Sequence, residues 1–112
     1  MATRSKYRAV PVVIDGKRFA SGREGKRYLD LRMLERAGVI SHLECQPRFP
    51  IVIDGEALRY SKSKRVVTAV MDFAYFRDGK RILEDSKGYD NPLSKLKRAL
   101  VERIYRCTVE VV

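Results

Sequence analysis

The stretch VVTAVMDFAYFRDGKRILEDSKG, residues 66–88, decides the fold because it carries two β-prone runs separated by an Asp-Gly pair. Asp-Gly between such runs is a strong hairpin signal, since both residues tolerate the positive φ angles of a type I′ turn. If Asp78 and Gly79 form the turn, the register of the hairpin places Asp72 directly opposite Asp85. The sequence therefore predicts a long β-hairpin that carries two facing carboxylates.

Side chains alternate along the second strand of this hairpin, so Asp85 and Lys87 share one face of the sheet and Glu84 lies on the other. Directly opposed Cβ atoms are about 4.5–5.5 Å apart, and two carboxylates that close repel each other unless a cation lies between them. The spacing is consistent with a divalent cation between Asp72 and Asp85, with Lys87 beside it. It is equally consistent with an exposed sheet face that carries scattered charges.

The composition predicts one globular domain with a polyanionic partner. The chain has 112 residues, of which 45% are hydrophobic, which suffices for one core but not for two. Lys and Arg number 24 against 14 Asp and Glu, and the formal net charge is +10. Such a surplus on a small domain favours nucleic acid as the partner. A soluble basic surface without a partner is the alternative interpretation.

The positive residues cluster at 4–8, 17–27, 59–65 and 95–106. The cluster at 4–8 belongs to a basic tail, residues 1–8, that precedes the domain. The side chains predicted to contact nucleic acid are Lys17, Arg18, Arg23, Lys26, Arg59, Lys62, Lys64, Arg65, Lys95 and Lys97.

Several classes of protein are disfavoured by what the sequence lacks. No apolar run approaches the roughly 20 residues of a membrane span, and the N-terminus has no apolar segment of a secretory signal. Cys45 and Cys107 have no metal-ligand spacing, and His42 is the only histidine, so no zinc site is predicted. We expect reduced thiols and a cytoplasmic protein without a membrane partner.

Two helices are predicted from capping residues and helical periodicity. Ser21 and Glu24 match the S-x-x-E capping box, and this helix runs to about residue 37, before Gly38. Its predicted buried stripe comprises Tyr28, Leu31 and Leu34, broadened by Leu29 and Met33.

The second predicted helix spans about 92–105, with Asn91 as the N-cap residue and proline at the first helical position. The predicted apolar face comprises Leu93, Leu96, Leu100 and Ile104, with Ala99 and Val101 beside it. The basic residues of this helix are then placed mostly on its solvent side: Lys95, Lys97, Arg98 and Arg103.

The remaining β-prone segments complete a mixed sheet. Short strands are expected near residues 10–14, 43–46, 51–53 and 108–112, and the segment 56–65 reads as a loop or a frayed hairpin end. Strands and helices in this order predict a single domain over residues 1–112 in the α/β or α+β class, with the central hairpin in a mixed sheet flanked by two helices.

Asp72 followed by Asp85-Ser86-Lys87, with Glu24 on a preceding helix, resembles the motif of the PD-(D/E)xK nucleases. The whole chain is similar to a family of short phage and prophage proteins placed in that superfamily. The matching segments are KYRA at 6–9, DGKRFAS at 15–21, Glu24 and Tyr28, AGVISHLECQPRFP at 37–50, MDFAYFRDGK at 71–80, LEDSKG at 83–88 and KLKRAL at 95–100.

The resemblance implies a restriction-endonuclease-like core and a metal-dependent DNA endonuclease. Asp72, Asp85, the backbone carbonyl of Ser86 and Glu24 would then hold Mg²⁺ or Mn²⁺, hard cations that prefer oxygen ligands. Lys87 would orient the attacking water and offset charge on the scissile phosphate. The relatives further imply a homodimer that acts in phage recombination or replication on branched DNA such as Holliday junctions.

Three further residues are candidates for lining the site. Glu44 and Gln46 lie on one face of the neighbouring strand and could face the carboxylates, or belong to the polar face of an edge strand. Tyr89 could stack on a base or sugar, although a tyrosine after a strand is more often involved in packing.

Two functions without catalysis stay open at this point. A basic nucleic-acid-binding protein on a nuclease-like scaffold would have the same charge clusters, because phosphate contacts alone supply affinity. A structural or interaction protein of phage assembly or host takeover is the third interpretation.

Overall fold

The computed structural model describes residues 10–86 and 91–112. The basic tail and the predicted roles of Lys87 and Tyr89 therefore lie outside the described residues. The chain divides into two compact units, the first ending at Val39 and the second beginning at Ile40. Each unit is described by itself.

The N-terminal unit begins with a hairpin of two short strands, β1 (Val12–Ile14) and β2 (Lys17–Phe19). The turn between them is Asp15-Gly16, with φ angles of 54° and 74°. Both angles are positive, as a type I′ turn requires, and Asp-Gly is one of the residue pairs that favour this turn.

Helix α1 (Gly22–Arg36) follows and has the predicted ends. The hydroxyl oxygen of Ser21 accepts a hydrogen bond from the backbone N–H of Glu24 at 3.2 Å, which confirms Ser21 as the N-cap. The helix is capped at Ala37 and is followed by Gly38 with φ of 80°. Glycine adopts this left-handed conformation at little steric cost, so it ends the helix cleanly.

The core of the N-terminal unit is narrower than the sequence predicts. Phe19, Tyr28 and Leu31 are buried, and the rings of Phe19 and Tyr28 lie 4.9 Å apart between centroids. Leu29 and Met33, which were expected to broaden the stripe, are 46% and 68% exposed. That part of the prediction is wrong, because the two residues are offset around the helix from the positions that pack on the hairpin.

Gly25 explains how closely helix α1 approaches strand β1. A Cβ atom built on Gly25 would lie 2.7 Å from Cγ2 of Val12 and 2.9 Å from Cδ1 of Ile14. Contacts that short do not occur between real atoms, so a side chain at this position would push the strand away from the helix.

The C-terminal unit contains a four-stranded mixed sheet in the order β10-β9-β8-β3. Its strands are β3 (Ser41–Cys45), β8 (Phe73–Arg77), β9 (Lys80–Asp85) and β10 (Thr108–Val111). β9 and β10 are parallel, and helix α2 (Pro92–Tyr105) lies between them in the chain. This order agrees with the rule that parallel neighbours need a crossover connection.

The central hairpin has the predicted turn and register. Asp78 and Gly79 have φ angles of 53° and 75°, and the ladder runs from the pair Arg77–Lys80 at the turn to the pair Phe73–Glu84 at the open end. The hairpin was predictable because turn chemistry and β-propensity point to the same register.

Shorter strands complete the second unit. β4 (Arg48–Pro50) pairs with β7 (Thr68–Val70), and β5 (Val52–Ile53) pairs with β6 (Glu56–Ala57) across another Asp-Gly turn. The buried core comprises Phe49, Ile51, Val67, Ala69, Met71, Ala74, Leu83 and Val101.

Helix α2 has the predicted limits, and Leu100 and Ile104 of the predicted apolar face pack against the core, but the first turns of the helix differ from the prediction. The side chain of Asn91 accepts from the backbone N–H of Ser94 at 2.8 Å and caps the helix. Val101 is completely buried, whereas Leu93 and Leu96 are 47% and 56% exposed. The first turns of the helix therefore do not bury leucines, and polar residues take the inward positions there.

The observed elements confirm a mixed α and β fold with two helices and several small sheets. The finer prediction of a restriction-endonuclease-like core stays a prediction.

Candidate active site at the open end of the central hairpin

Asp72 immediately precedes strand β8, at the end of the hairpin away from the turn. Its backbone N–H donates to the carbonyl of Glu84 at 2.9 Å, although Phe73 is the residue paired with Glu84 in the ladder. Two successive residues of one strand therefore meet one residue of the other, as in a β-bulge. The ladder stops before the expected Asp72–Asp85 pair, but both aspartates remain at the same end of adjacent strands.

Asp85, the last residue of β9, is held by helix α2. Its Oδ2 atom lies 3.2 Å from Nη1 of Arg98, and the two side chains are 21% and 12% exposed. Its backbone carbonyl accepts from the N–H of Val112, which fixes the end of the strand against β10. An ion pair this buried is screened by salt much less than a surface ion pair. Arg98 therefore fixes the orientation of the Asp85 carboxylate.

A cleft of about 270 Å³ adjoins Asp85, between strand β7 and helix α2. Its polar lining consists of Thr68, Asp85, Ser86, Ser94, Lys97 and Arg98. Nζ of Lys97 donates to the backbone carbonyl of Thr68 at 3.1 Å, so this lysine bridges the two walls. Two cations and three hydroxyl groups beside a carboxylate make an environment that suits a phosphate group.

Glu84 occupies the opposite face of strand β9, as the alternation of side chains predicts. It is 0% exposed, and its Oε2 atom accepts a hydrogen bond of 2.6 Å from the hydroxyl of Tyr75. Burial, and secondly this hydrogen bond, raise the pKa of Tyr75 well above its usual range. The pair is therefore a buried structural contact and does not belong to the cleft.

The two predicted lining residues lie at the end of the neighbouring strand β3. Gln46 lies just beyond β3 with φ of 53°, and its backbone N–H donates to the carbonyl of Asp72 at 2.8 Å. Glu44 lies within β3 opposite Ala74, and its carboxylate forms an ion pair of 3.1 Å with Arg81. Their role in lining the site stays a prediction.

Glu24 belongs to the N-terminal unit, where it occupies the third position of helix α1. Its assignment as a metal ligand stays a prediction from the resemblance, as does the role of Lys87.

The donor chemistry of the hairpin end fits a hard divalent cation. Asp72, Asp85 and the carbonyl of Ser86 offer oxygen atoms, and Mg²⁺ in proteins is commonly bound through one or two carboxylates together with waters and substrate phosphates. Within residues 10–86 and 91–112, no group of three or more His, Cys, Asp or Glu side chains is placed to hold a metal ion. A fully protein-made cage is therefore not present among these residues.

The predicted nucleic-acid contacts are mostly exposed. They occupy β2, the first turns of α1, the segment between β6 and β7, and α2, and Lys97 is the one that is half-buried. The predicted contacts leave out five cations that line the two clefts of the C-terminal unit: Lys80, Arg81, Arg98, Arg103 and Arg106. For Arg98 a signal exists, since it lies three residues before the fully buried Val101 and hence on the same side of the helix.

Comparison with known proteins identifies the family of this chain. The chain belongs to the family described as "Protein of unknown function (DUF1064)", whose sequence model matches residues 4–111. No curated protein and no solved structure matches the chain. In the part of the chain that the structure describes, neither helix has the length and apolar character needed to cross a membrane.

Proposed function

We propose that this chain is a divalent-metal-dependent endonuclease that hydrolyses phosphodiester bonds in DNA. The observation that carries the proposal is the position of Asp72 and Asp85 at the same end of two adjacent strands, where Asp85 faces a cleft lined by Lys97 and Arg98. Carboxylates that bind a cation and positive groups that bind a phosphate are the two requirements of metal-assisted phosphodiester hydrolysis. The net charge of +10 supports a polyanionic substrate.

The residues that would hold Mg²⁺ or Mn²⁺ are Asp72, Asp85 and the carbonyl of Ser86, with Glu24 as a further ligand. A bound ion supplies Lewis-acid polarisation of the phosphate and stabilises negative charge. Arg98 contributes by fixing the Asp85 carboxylate, and Lys97 contributes a cation that is anchored to the opposite wall of the cleft.

The attacking water needs a group that orients it, and Lys87 takes this role in the proposal. Its ammonium group would also offset the charge that builds on the scissile phosphate. The resemblance to phage proteins further suggests branched DNA such as Holliday junctions as the substrate, in recombination or replication. A homodimer would present two such sites to two strands.

The experiment that tests this proposal is a cleavage assay on labelled linear, flapped, forked and four-way DNA with Mg²⁺ or Mn²⁺. We expect metal-dependent nicking that Asp85→Asn or Lys87→Ala lowers by more than about 100-fold, the scale of losing one charged contact to the transition state. DNA binding should survive in both variants.

Asp78→Asn is the matched control for the cleavage assay. It removes the same charge from the same hairpin, and Asn-Gly keeps the type I′ turn. This variant should cleave like the unmodified protein. Cleavage that persists in a metal chelator, or that Asp85→Asn leaves unchanged, would refute the nuclease proposal.

The second candidate is a nucleic-acid-binding protein without catalysis. The ion pair between Asp85 and Arg98 favours it, because a carboxylate already neutralised by a guanidinium binds a cation less readily. This candidate predicts salt-dependent binding and no product with either metal. Product formation that depends on Asp85 would exclude it.

A further inference from the structure

A second cleft lies at the turn end of the central hairpin, away from Asp85. It has a volume of about 630 Å³, and strands β8 and β9 and the end of helix α2 line it. Strand β9 rises about 3.3 Å per residue, so Lys80 at this end is roughly 17 Å from Asp85. The two clefts are therefore distinct sites on one unit.

The lining of this turn-end cleft is strongly positive. Lys80, Arg81, Arg103 and Arg106 contribute four cations, against the single carboxylate of Glu102. That carboxylate already accepts a hydrogen bond of 2.9 Å from the backbone N–H of Val109. The cleft therefore favours an anionic ligand.

Three of the four cations are available to a ligand. Lys80, Arg103 and Arg106 are exposed, and none of them forms an ion pair with any residue of 10–86 or 91–112. Arg81 is instead fixed, since it pairs with Glu44 and its guanidinium carbon lies 5.2 Å from the ring centre of Phe49.

An exposed aromatic ring lies in the same cleft. Phe76 is 39% exposed and pairs across the hairpin with Arg81. The ring of His42 meets it edge-on at 5.7 Å between centroids, which holds Phe76 in place. The cleft therefore presents an aromatic face beside its cations.

We infer that the turn-end cleft binds an unpaired strand of nucleic acid, with phosphates on Arg103 and Arg106 and a base stacked on Phe76. Cations at the end of a helix are also favoured by the helix dipole, so the charges alone would not identify a ligand. The combination of a positive groove with an aromatic ring is what recognises single strands. A duplex keeps its bases stacked inside and cannot offer one to Phe76.

This inference deepens the proposed function, because an unpaired segment in this cleft would define branched or single-stranded DNA as the substrate class. The binding itself does not require metal or the carboxylates of the other cleft. Strand binding that behaves as expected while no cleavage occurs would sustain the turn-end cleft and refute the nuclease. Cleavage without a preference for the single strand would sustain the nuclease and refute the assignment of the turn-end cleft.

The test is fluorescence anisotropy of the full chain in a metal chelator, with a labelled oligothymidylate and a duplex of the same length. Phe76→Leu should weaken binding of the single strand by about 5- to 150-fold, the range measured for loss of one stacked base. Duplex binding should stay unchanged. Phe76→Tyr keeps an aromatic face and should retain binding of the single strand.

The contribution of the phosphate contacts to binding is tested with a separate variant and control. Arg103→Gln with Arg106→Asn should lower the slope of log affinity against log salt for the single strand by about 1.4, since each phosphate contact contributes about 0.7. Asn suits the left-handed conformation at position 106, where φ is 52°. Arg36→Gln with Arg48→Gln removes equal charge at two exposed positions outside both clefts and should leave the single-strand preference intact.

Two results would overturn the assignment. One is a Phe76→Leu variant that binds the single strand as tightly as the unmodified protein, or loses duplex binding equally. The other is an equal loss of single-strand affinity from the control variant at Arg36 and Arg48, which would show that only the total charge matters.

Discussion

Replacing Tyr75 by phenylalanine tests whether the buried contact with Glu84 stabilises the fold. Both side chains are almost completely buried, and the hydroxyl of Tyr75 lies 2.6 Å from Oε2 of Glu84. The substitution removes one oxygen atom, creates almost no cavity and leaves a buried carboxylate with one donor fewer. Its cost is therefore set by the hydrogen bond alone.

The expected loss is about 2 kcal/mol at neutral pH, since hydrogen bonds to charged groups contribute about 1.5–3 kcal/mol. For a chain of this size that corresponds to a fall of about 8 °C in Tm. In a Glu84→Gln background the same Tyr75→Phe change should cost only about 1 kcal/mol, because the acceptor is then neutral.

The pH dependence gives an independent check on the same contact. Burial and the bond to Glu84 raise the pKa of Tyr75 above the value of about 10 for an unfolded chain. The neutral phenol is therefore favoured in the folded state, and its contribution is complete below pH of about 10 and is lost as pH rises towards the folded pKa. The difference in stability between the wild type and Tyr75→Phe should therefore shrink as pH rises above about 10.

Urea unfolding followed by circular dichroism measures these differences. Tyr60→Phe is the matched control, because Tyr60 is 39% exposed and should change stability by less than about 0.5 kcal/mol. A loss below about 0.5 kcal/mol for Tyr75→Phe, or a difference that does not shrink as pH rises above about 10, would refute the reasoning.

Three further predictions concern the helices and a thiol. Gly25→Ala should lower stability by about 1–3 kcal/mol in thermal melts because its Cβ would clash with strand β1, whereas Gly22→Ala, which meets open space, should not destabilise. Asn91→Ala should cost about 1 kcal/mol in urea unfolding, because it removes the cap on the N–H of Ser94, and no loss would contradict the capping assignment. Burial raises the pKa of the Cys107 thiol, so it should react with a thiol reagent at pH 8 more slowly than in the urea-unfolded chain, and equal rates would contradict this.

The local features of the chain could be predicted from the sequence because neighbouring residues determine them. The turn at Asp78-Gly79, the N-caps Ser21 and Asn91, and the register of the central hairpin all depend on backbone preferences within a few residues. These preferences act before any tertiary contact forms, so they could be recognised in the sequence.

The inward face of α2 could not be predicted in this way. The sequence offers Leu93 and Leu96 as apolar positions, yet these are exposed, and Lys97 and Arg98 face the end of β9 and β7 instead. A helix rotates to satisfy all of its contacts at once, and Arg98 gains the carboxylate of Asp85, a residue that lies on another element.

The candidate sites depend partly on local sequence preferences and partly on tertiary packing. The sequence by itself determined that Asp72 and Asp85 lie at one end of a hairpin, because strand pairing follows from the turn. Only the tertiary structure decided that Arg98 holds Asp85 and that Phe76 shares a cleft with Arg103 and Arg106. These contacts join residues from different elements, and their formation depends on how the helix packs on the sheet, which no short-range pattern encodes.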